Sequence, residues 1–402
     1  MRKRIFILYL ILIVSSYLYG RDWYVRPEGG TYGLENGTSY QNAWDGLLRV
    51  IWGSAGVQPG DTLWVCGLHI HTVTNRWSPA IDQQGDIVPS SGISESARIV
   101  IRGDYPGDPG IIWGAYNMGY ESWVNEGDNT WSITLPGWSF SDWFFQDITA
   151  DSWTILTPRS SIAAIKANPG SFYSANYQQN SKLYVKCSDS GNPTGRIYGN
   201  RYGYQWILTN KSYITFKNLK IYAHYRFLRP GVTDTAAFIR WEGCTMWYGE
   251  HSIICANANC DGFEVIDCNL AWASNGIYNI TNTNDYPADY VYRGNKIHDI
   301  GVRPSTQNND AHAIGVQGSN NGLIEDNYIY NCGNAILLYA FTNQTFTNTI
   351  VRGNLVKNCH TYGMNPGYGG YGISTQCDND SLSNKTGNKF YQNIVINCPV
   401  GF

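Results

Sequence analysis

The chain has 402 residues, 28 basic and 31 acidic side chains, and a formal net charge of −3. With charged residues at only 15% and no basic block, the composition argues against a nucleic-acid partner. Aromatic residues reach 14%, including 15 Trp and 30 Tyr. That richness suits a secreted protein whose ring faces stack on sugars, and equally a chain that fills core and cap positions with large rings.

The first 20 residues read as a secretory signal. Arg2, Lys3 and Arg4 form a charged start, and Ile5–Val14 is an apolar run of ten, too short for a membrane span. Cleavage near Gly20 takes the net charge from −3 to −6 and leaves ten Cys. Leu18 departs from the small residue expected before a cleavage site, so an uncleaved anchor is the alternative. No second apolar stretch is long enough to cross a bilayer, and the mature chain is expected to be a secreted, periplasmic or cell-surface monomer without a membrane span.

Residues 21–120 contain WYVRPEGG, NAWDGLLRVIW and QPGDTLWVCG, then ARIVIRGDYPGDPGIIWG. Trp44, Leu47, Leu48, Ile51 and Trp52 fall at i, i+3, i+4, i+7 and i+8, which predicts an amphipathic helix. Residues 121–200 break the pattern. The segment PGSFYSANYQQNSKLYVKCSDSGNPTG predicts an antiparallel hairpin, with a turn at Gln179 and Asn180 and a strand over Leu183–Cys187. This stretch reads as a small inserted β-subdomain, with irregular lateral loops as the alternative.

Residues 201–402 carry a seven-fold echo: YITFKN-LKIYA, RWEGC-TMWYG, EVIDC-NLAWA, VYRGN-KIHDI, LIEDN-YIYNC, IVRGN-LVKNC and FYQN-IVINC. The pivots are Asn218, Cys244, Cys268, Asn295, Asn327, Asn354 and Asn393. Two residues on is a mostly apolar column, Lys220, Met246, Leu270, Ile297, Ile329, Val356 and Val395. Five on is a mostly small one, Ala223, Gly249, Ala273, Ile300, Cys332, Cys359 and Cys398. An amide recurring at one turn predicts a ladder of stacked Asn side chains, and short β-rich runs at this period predict a parallel β-solenoid. The column position of Cys332, Cys359 and Cys398 predicts small inward-facing thiols rather than disulfides. Cys255 and Cys260, close in sequence, are the pair open to bridging. No spacing suits a structural zinc.

This pattern resembles the right-handed parallel β-helix proteins of the pectate-lyase-like superfamily. The resemblance implies an all-β solenoid, a helix plugging its open end, a first coil begun by the strand at Pro59-Gly60-Asp61-Thr62, and a polysaccharide ligand. The expected organisation is a signal peptide at 1–20, an N-terminal cap and first coils at 21–120, an inserted β-subdomain at 121–200 and regular coils at 201–402. No terminal cap is legible before Phe402, which predicts a chain truncated at the C-terminus. Activity stays open, because the scaffold carries lyases, hydrolases, epimerases, adhesins and tailspikes.

Two coils are long, and their surplus falls in IGVRPSTQNNDAH, CHTYGMNPGYGGYG and QCDNDSLSNKTG. Insertions on one side of a solenoid build a binding face. Counting from the pivots to the strand after the first two loops aligns Arg226 and Arg229, Glu250 and His251, Asn275 and Tyr278, Asp310 and His312, Asn334 and Tyr339. Of these, His312, Asp310, His251, Glu250, Tyr278 and Arg226 are the catalytic candidates. Asn275, Tyr339, Tyr362, Tyr368 and Tyr371 are the candidates for substrate binding. An Asp near a His sets its tautomer and raises its basicity, though D-x-H is also ordinary turn chemistry.

Two mechanisms compete. In β-elimination on a uronate, Arg226 or Arg293 neutralises the carboxylate, His312 takes the C5 proton and Tyr278 protonates the leaving oxygen. In inverting hydrolysis, Glu250 and Asp310 form the carboxylate pair. A glycan-binding or adhesin-like solenoid without catalysis is the third reading. Calcium, which pectate lyases hold with clustered Asp residues, stays open as a cofactor. The sequence lacks a dense acidic run, and no metal ligands are assigned.

Overall fold

The computed structural model describes residues 20–70, 85–118, 122–135, 143–175, 181–202, 205–224, 236–249, 252–257, 260–280, 288–301, 311–340, 344–360 and 369–402, apart from 378–384. The signal segment, the turn at Gln179 and Asn180 and the three long loops, save for a few flanking residues, lie outside them, as does the side chain of Cys255.

Three parallel sheets form a solenoid, two of them along its length and the third over its later coils. One has eleven strands, from Asp22–Arg26 to Lys389–Tyr391. A second has nine, from Leu68–Ile70 to Ile394–Ile396. A third has five: Ser252–Asn257, Asn275–Ile280, His312–Gln317, Asn334–Ala340 and Ile373–Cys377. Strand alternation explains the core. Ile221, Met246, Leu270, Ile297, Ile329 and Val356 stack coil upon coil in the nine-stranded sheet, each at most 1% exposed. Cys332 and Cys359 are buried and Cys398 packs beside them, as small hydrophobes.

The Asn ladder is present from Asn295 onward. Oδ1 of Asn327 accepts from the backbone N–H of Asn295 at 3.0 Å and from its Nδ2 at 2.9 Å; Asn354 does the same for Asn327, and Asn393 for Asn354. Each Nδ2 also donates to a carbonyl of the preceding coil. Cys244 and Cys268 continue the column, the Cys244 thiol donating to the Phe216 carbonyl.

The first repeat corrects the predicted register by one residue. Lys220 pairs with Thr245 and Ile221 with Met246, so Leu219 stacks on Cys244 and Asn218 lies over Gly243. Ile221, not Lys220, is therefore the core residue, and His224 replaces Ala223 in the third column. Asn218 belongs to a column of left-handed turn residues with Gly243, Asp267, Gly294, Asp326, Gly353 and Gln392. Two further left-handed columns run through Asn331, Asn358 and Asn397, and through Asn321 and Asn348. Asn tolerates this conformation, and the neighbouring amides hydrogen-bond along each column.

The predicted helix at Trp44–Trp52 is also corrected. Trp44–Asp45 is a strand paired with Val25 and Arg26, followed by a single 3₁₀ turn at Leu47–Arg49. Gly46, at φ 94°, breaks the stripe. Trp44 and Leu47 are buried while Leu48 and Ile51 are 41% and 47% exposed, so the apolar positions do not share a face.

Between Ala115 and Tyr202 the chain leaves the solenoid ladder. Ala115–Asn117, Ile197–Tyr202, Phe144–Gln146 and Thr154–Ile155 form one antiparallel sheet. Val124–Asn125, Trp131–Thr134, Lys182–Lys186, Ser171–Ser174 and Thr157–Pro158 form a mixed sheet, parallel only between its last two strands, with a helix at Ile162–Ala167 beside it. Met118, Ile133, Phe144, Phe172, Leu183 and Val185 make a core separate from the solenoid's. Trp113, Phe145, Tyr222 and Tyr248 fill an aromatic seam between the two.

Candidate functional site

The five-stranded sheet gathers the sequence-selected residues that are described. Its register places Asn275, His312 and Asn334 in one column at the strand starts, with Tyr371 next in line. Two residues inward, Ile277, Ile314, Ile336 and Ile373 enter the core. The following positions face out, and there Tyr278 lies opposite Gly315. A methyl group on Gly315 would stand 2.7 Å from the Tyr278 ring and 3.1 Å from His312 Cδ2, so the glycine makes room for both rings.

His312 is 7% exposed. Burial drives its pKa down from the ordinary imidazole value to about 4, so the ring is neutral at neutral pH. Its backbone N–H donates to Oδ1 of Asn275 at 2.9 Å. The Tyr371 N–H donates to Oδ1 of Asn334 at 3.3 Å, which turns the Asn334 Nδ2 towards Nδ1 of His312 at 3.2 Å. An amide N–H on Nδ1 leaves the ring proton on Nε2. The neighbours Asn334 and Tyr371 thus select a tautomer that presents an N–H donor.

Two phenols flank this ring. The Tyr278 and Tyr339 hydroxyls are 2.8 Å apart, and their rings lie 5.8 Å and 6.4 Å from the His312 ring. Tyr339 donates to Oε1 of Gln317 at 3.1 Å, and Nε2 of Gln317 donates to Oε1 of Gln344 at 3.3 Å. These bonds orient the phenol pair so that Tyr278 can pass a proton to Tyr339. The described cluster is one imidazole, two phenols and a shell of amides, a set able to donate hydrogen bonds and relay protons.

Thus His312, Tyr278, Asn275 and Tyr339 come together, and Tyr371 enters through its backbone. Asp310, His251, Glu250, Arg226, Arg229, Tyr362 and Tyr368 lie outside the described residues. Arg293 is corrected: it sits on the eleven-stranded sheet and pairs with Glu325, which also holds Arg352. Sequence reasoning overlooked Gln317, Gln344 and Gly315. The alternation within HAIGVQ was the available signal for two of them, since Gly315 and Gln317 share the face that Tyr278 occupies. Among the described residues no three His, Cys, Asp or Glu side chains gather as metal ligands.

Comparison with known structures agrees with this architecture. The structure is similar to that of XylC in complex with xylose, at a TM-score of 0.55 and 12% identity, over 92% of this chain and 68% of that one. It also aligns with a glycoside hydrolase at a TM-score of 0.40 and 10% identity, covering 95% and 97% of the two chains. A pectate lyase from Bacillus sp. N165 in complex with trigalacturonate aligns at 0.37 and 12% identity, over 94% and 83%. No protein-family model matches the sequence, and no curated protein matches it. The fold is a parallel β-helix.

Proposed function

We propose that this protein is a secreted carbohydrate-active enzyme that cleaves a polysaccharide over the five-stranded sheet, by β-elimination at a uronate. The observation that carries the reading is the buried, neutral His312 with its proton on Nε2, set beside the hydrogen-bonded pair of Tyr278 and Tyr339.

Elimination builds negative charge on the uronate carboxylate as the C5 proton leaves. A neutral imidazole N–H can stabilise that charge without giving up its proton. In this reading His312 is the donor rather than the base expected from its sequence neighbours. The phenol pair moves the proton. Tyr278 oxygen takes the C5 hydrogen, its own proton passes to Tyr339, and the Tyr339 proton turns from Gln317 Oε1 to the leaving O4. The C5–H and C4–O4 bonds break, a C4–C5 double bond forms, and both phenols end neutral. Residues 121–200 are read as an inserted β-subdomain beside this scaffold.

The test is incubation of the mature protein with a panel of plant, algal and animal polysaccharides, following ultraviolet absorbance from unsaturated uronates together with new reducing ends. Both rising together supports elimination. Reducing ends without absorbance refutes it and turns attention to hydrolysis by Glu250 and Asp310. Silence in both leaves a glycan-binding solenoid.

A further inference from the structure

We propose that the outer face of the nine-stranded sheet is a second carbohydrate surface, which holds an acidic polysaccharide by ring stacking and two lysines. The proposal rests on the carbohydrate reading above but not on the chemistry at His312, which lies on another sheet.

The outward positions of a solvated sheet are normally polar. Here they run through Trp247, His298 and Tyr330 along one column. Trp272, at a left-handed position within the strand Asn269–Ala273, meets Trp247 edge-on at 5.0 Å and His298 at 5.3 Å. His298 stacks flat on Tyr330 at 4.9 Å and 3°, and Tyr330 meets Tyr328 at 4.9 Å. The row crosses four strands, about 14 Å at the usual strand spacing. Its tryptophans are partly buried and Tyr328 is 37% exposed. The same aromatic column is fully covered where Trp113 and Tyr222 meet the residues of 143–153, and Trp153 stands 6.4 Å from Trp247 as a wall at that end. An aromatic row that reaches solvent at Tyr328 and Tyr330 beyond such a wall, with buried His298 beneath it, marks a binding surface.

Charge selects the ligand. Lys296 and Lys357 each hold an ammonium 5.7 Å from a ring centre, over Tyr330 and Tyr328. Neither forms an ion pair among the described residues. The neighbouring Asp299 is engaged by His298 Nδ1 at 2.7 Å and by Asn331. Flat rings suit the C–H faces of pyranoses, and two unneutralised cations among them suit carboxylates spaced along the same chain. His298 itself is a positioning residue. With Nδ1 on Asp299 and Nε2 on Asn269 at 3.1 Å, it props the Tyr330 ring rather than touching ligand.

The experiment is native affinity electrophoresis through gels carrying polygalacturonate, alginate or chondroitin, with xylan as the neutral control. Wild type should be retarded by at least one acidic polymer and less by xylan. Lys296→Ala/Lys357→Ala, at solvent-facing positions, should weaken that retardation about tenfold, and Tyr328→Ala/Tyr330→Ala should weaken it further. The lysine double variant should keep wild-type turnover of short oligosaccharides, which separates this surface from the groove at His312. Migration of wild type unaffected by every acidic polymer overturns the proposal, as does full retardation of the lysine variant. Retardation that depends on the lysines in a protein without lyase activity would sustain this surface while refuting the elimination reading.

Discussion

Replacing Asn327 with Ala removes the centre of the buried ladder. Four hydrogen bonds go: two accepted from Asn295, one donated to Asn354 and one donated to the Tyr292 carbonyl. The losses are unequal. Asn295 Nδ2 keeps Val265 and Asn354 Oδ1 keeps the Asn327 backbone N–H, whereas the Asn295 N–H loses its side-chain acceptor. Asn327 is 1% exposed, so water cannot substitute. One or two orphaned backbone groups at about 1–3 kcal/mol each, with a small cavity added, give a destabilisation of about 3–5 kcal/mol. Asn393, in the last described coil and only half-buried, makes equivalent bonds within reach of solvent, and its alanine variant should lose clearly less. Asn327→Cys should fall between, because the thiols of Cys244 and Cys268 occupy this column and donate to carbonyls. Chemical and thermal unfolding followed by circular dichroism reads all three. Equal melting temperatures for wild type and Asn327→Ala, or a larger loss at Asn393, would refute the ladder's energetic role.

Other substitutions address the site. His312→Ala should abolish cleavage while leaving the far-ultraviolet spectrum unchanged; full activity would remove His312 from the mechanism. Tyr278→Phe breaks the phenol relay and should lower kcat about 10²-fold with KM little changed, and a pure KM effect would count against proton transfer there. Gly315→Ala should push the Tyr278 and His312 rings apart and reduce kcat, with wild-type turnover contradicting the packing argument. The buried histidines set a pH dependence. His312 titrates near 4, and His69 and His224 near 3, below the ordinary value of 6.5. Between those values the unfolded chain binds protons that the folded one refuses, so stability is present above about pH 6.5 and is lost as pH falls towards 4. A melting temperature constant across that window would be inconsistent with neutral buried rings.

The solenoid was legible because its constraints repeat. Asn295, Asn327, Asn354 and Asn393 occupy one structural position, and a residue type fixed by one geometry recurs in sequence. The first coil misled for a physical reason: Asn serves both as a ladder amide and as a left-handed turn residue, and Asn218 plays the second role where the pattern suggested the first. The stripe at Trp44 misled because periodicity ignores Gly46, whose backbone ends any helix there. At the site, counting from the pivots was enough to bring Tyr278, His312 and Tyr339 to one sheet. The amide of Asn334 on the imidazole was not legible, because a shared row does not say which way an amide is turned, and here the Tyr371 N–H on Asn334 Oδ1 turns it. The row at Trp272, His298 and Tyr330 went unread since its members come from different coils and different offsets.

The left-handed columns have a consequence for how such a molecule changes length. Each turn amide donates to the equivalent residue of the preceding coil, so the segment from one pivot to the next is a module whose two ends match. Excising or duplicating Asn327–Gly353 as a block would bring Asn295 against Asn354, or one Asn327 against another, with every column still in phase. Gain or loss of a few residues has no such match inside a strand and must be absorbed between strands. Length along the axis is thus a counted quantity, while breadth at the loops is a continuous one. A chain built this way can extend its surface for a polymer by whole coils and reshape the groove independently.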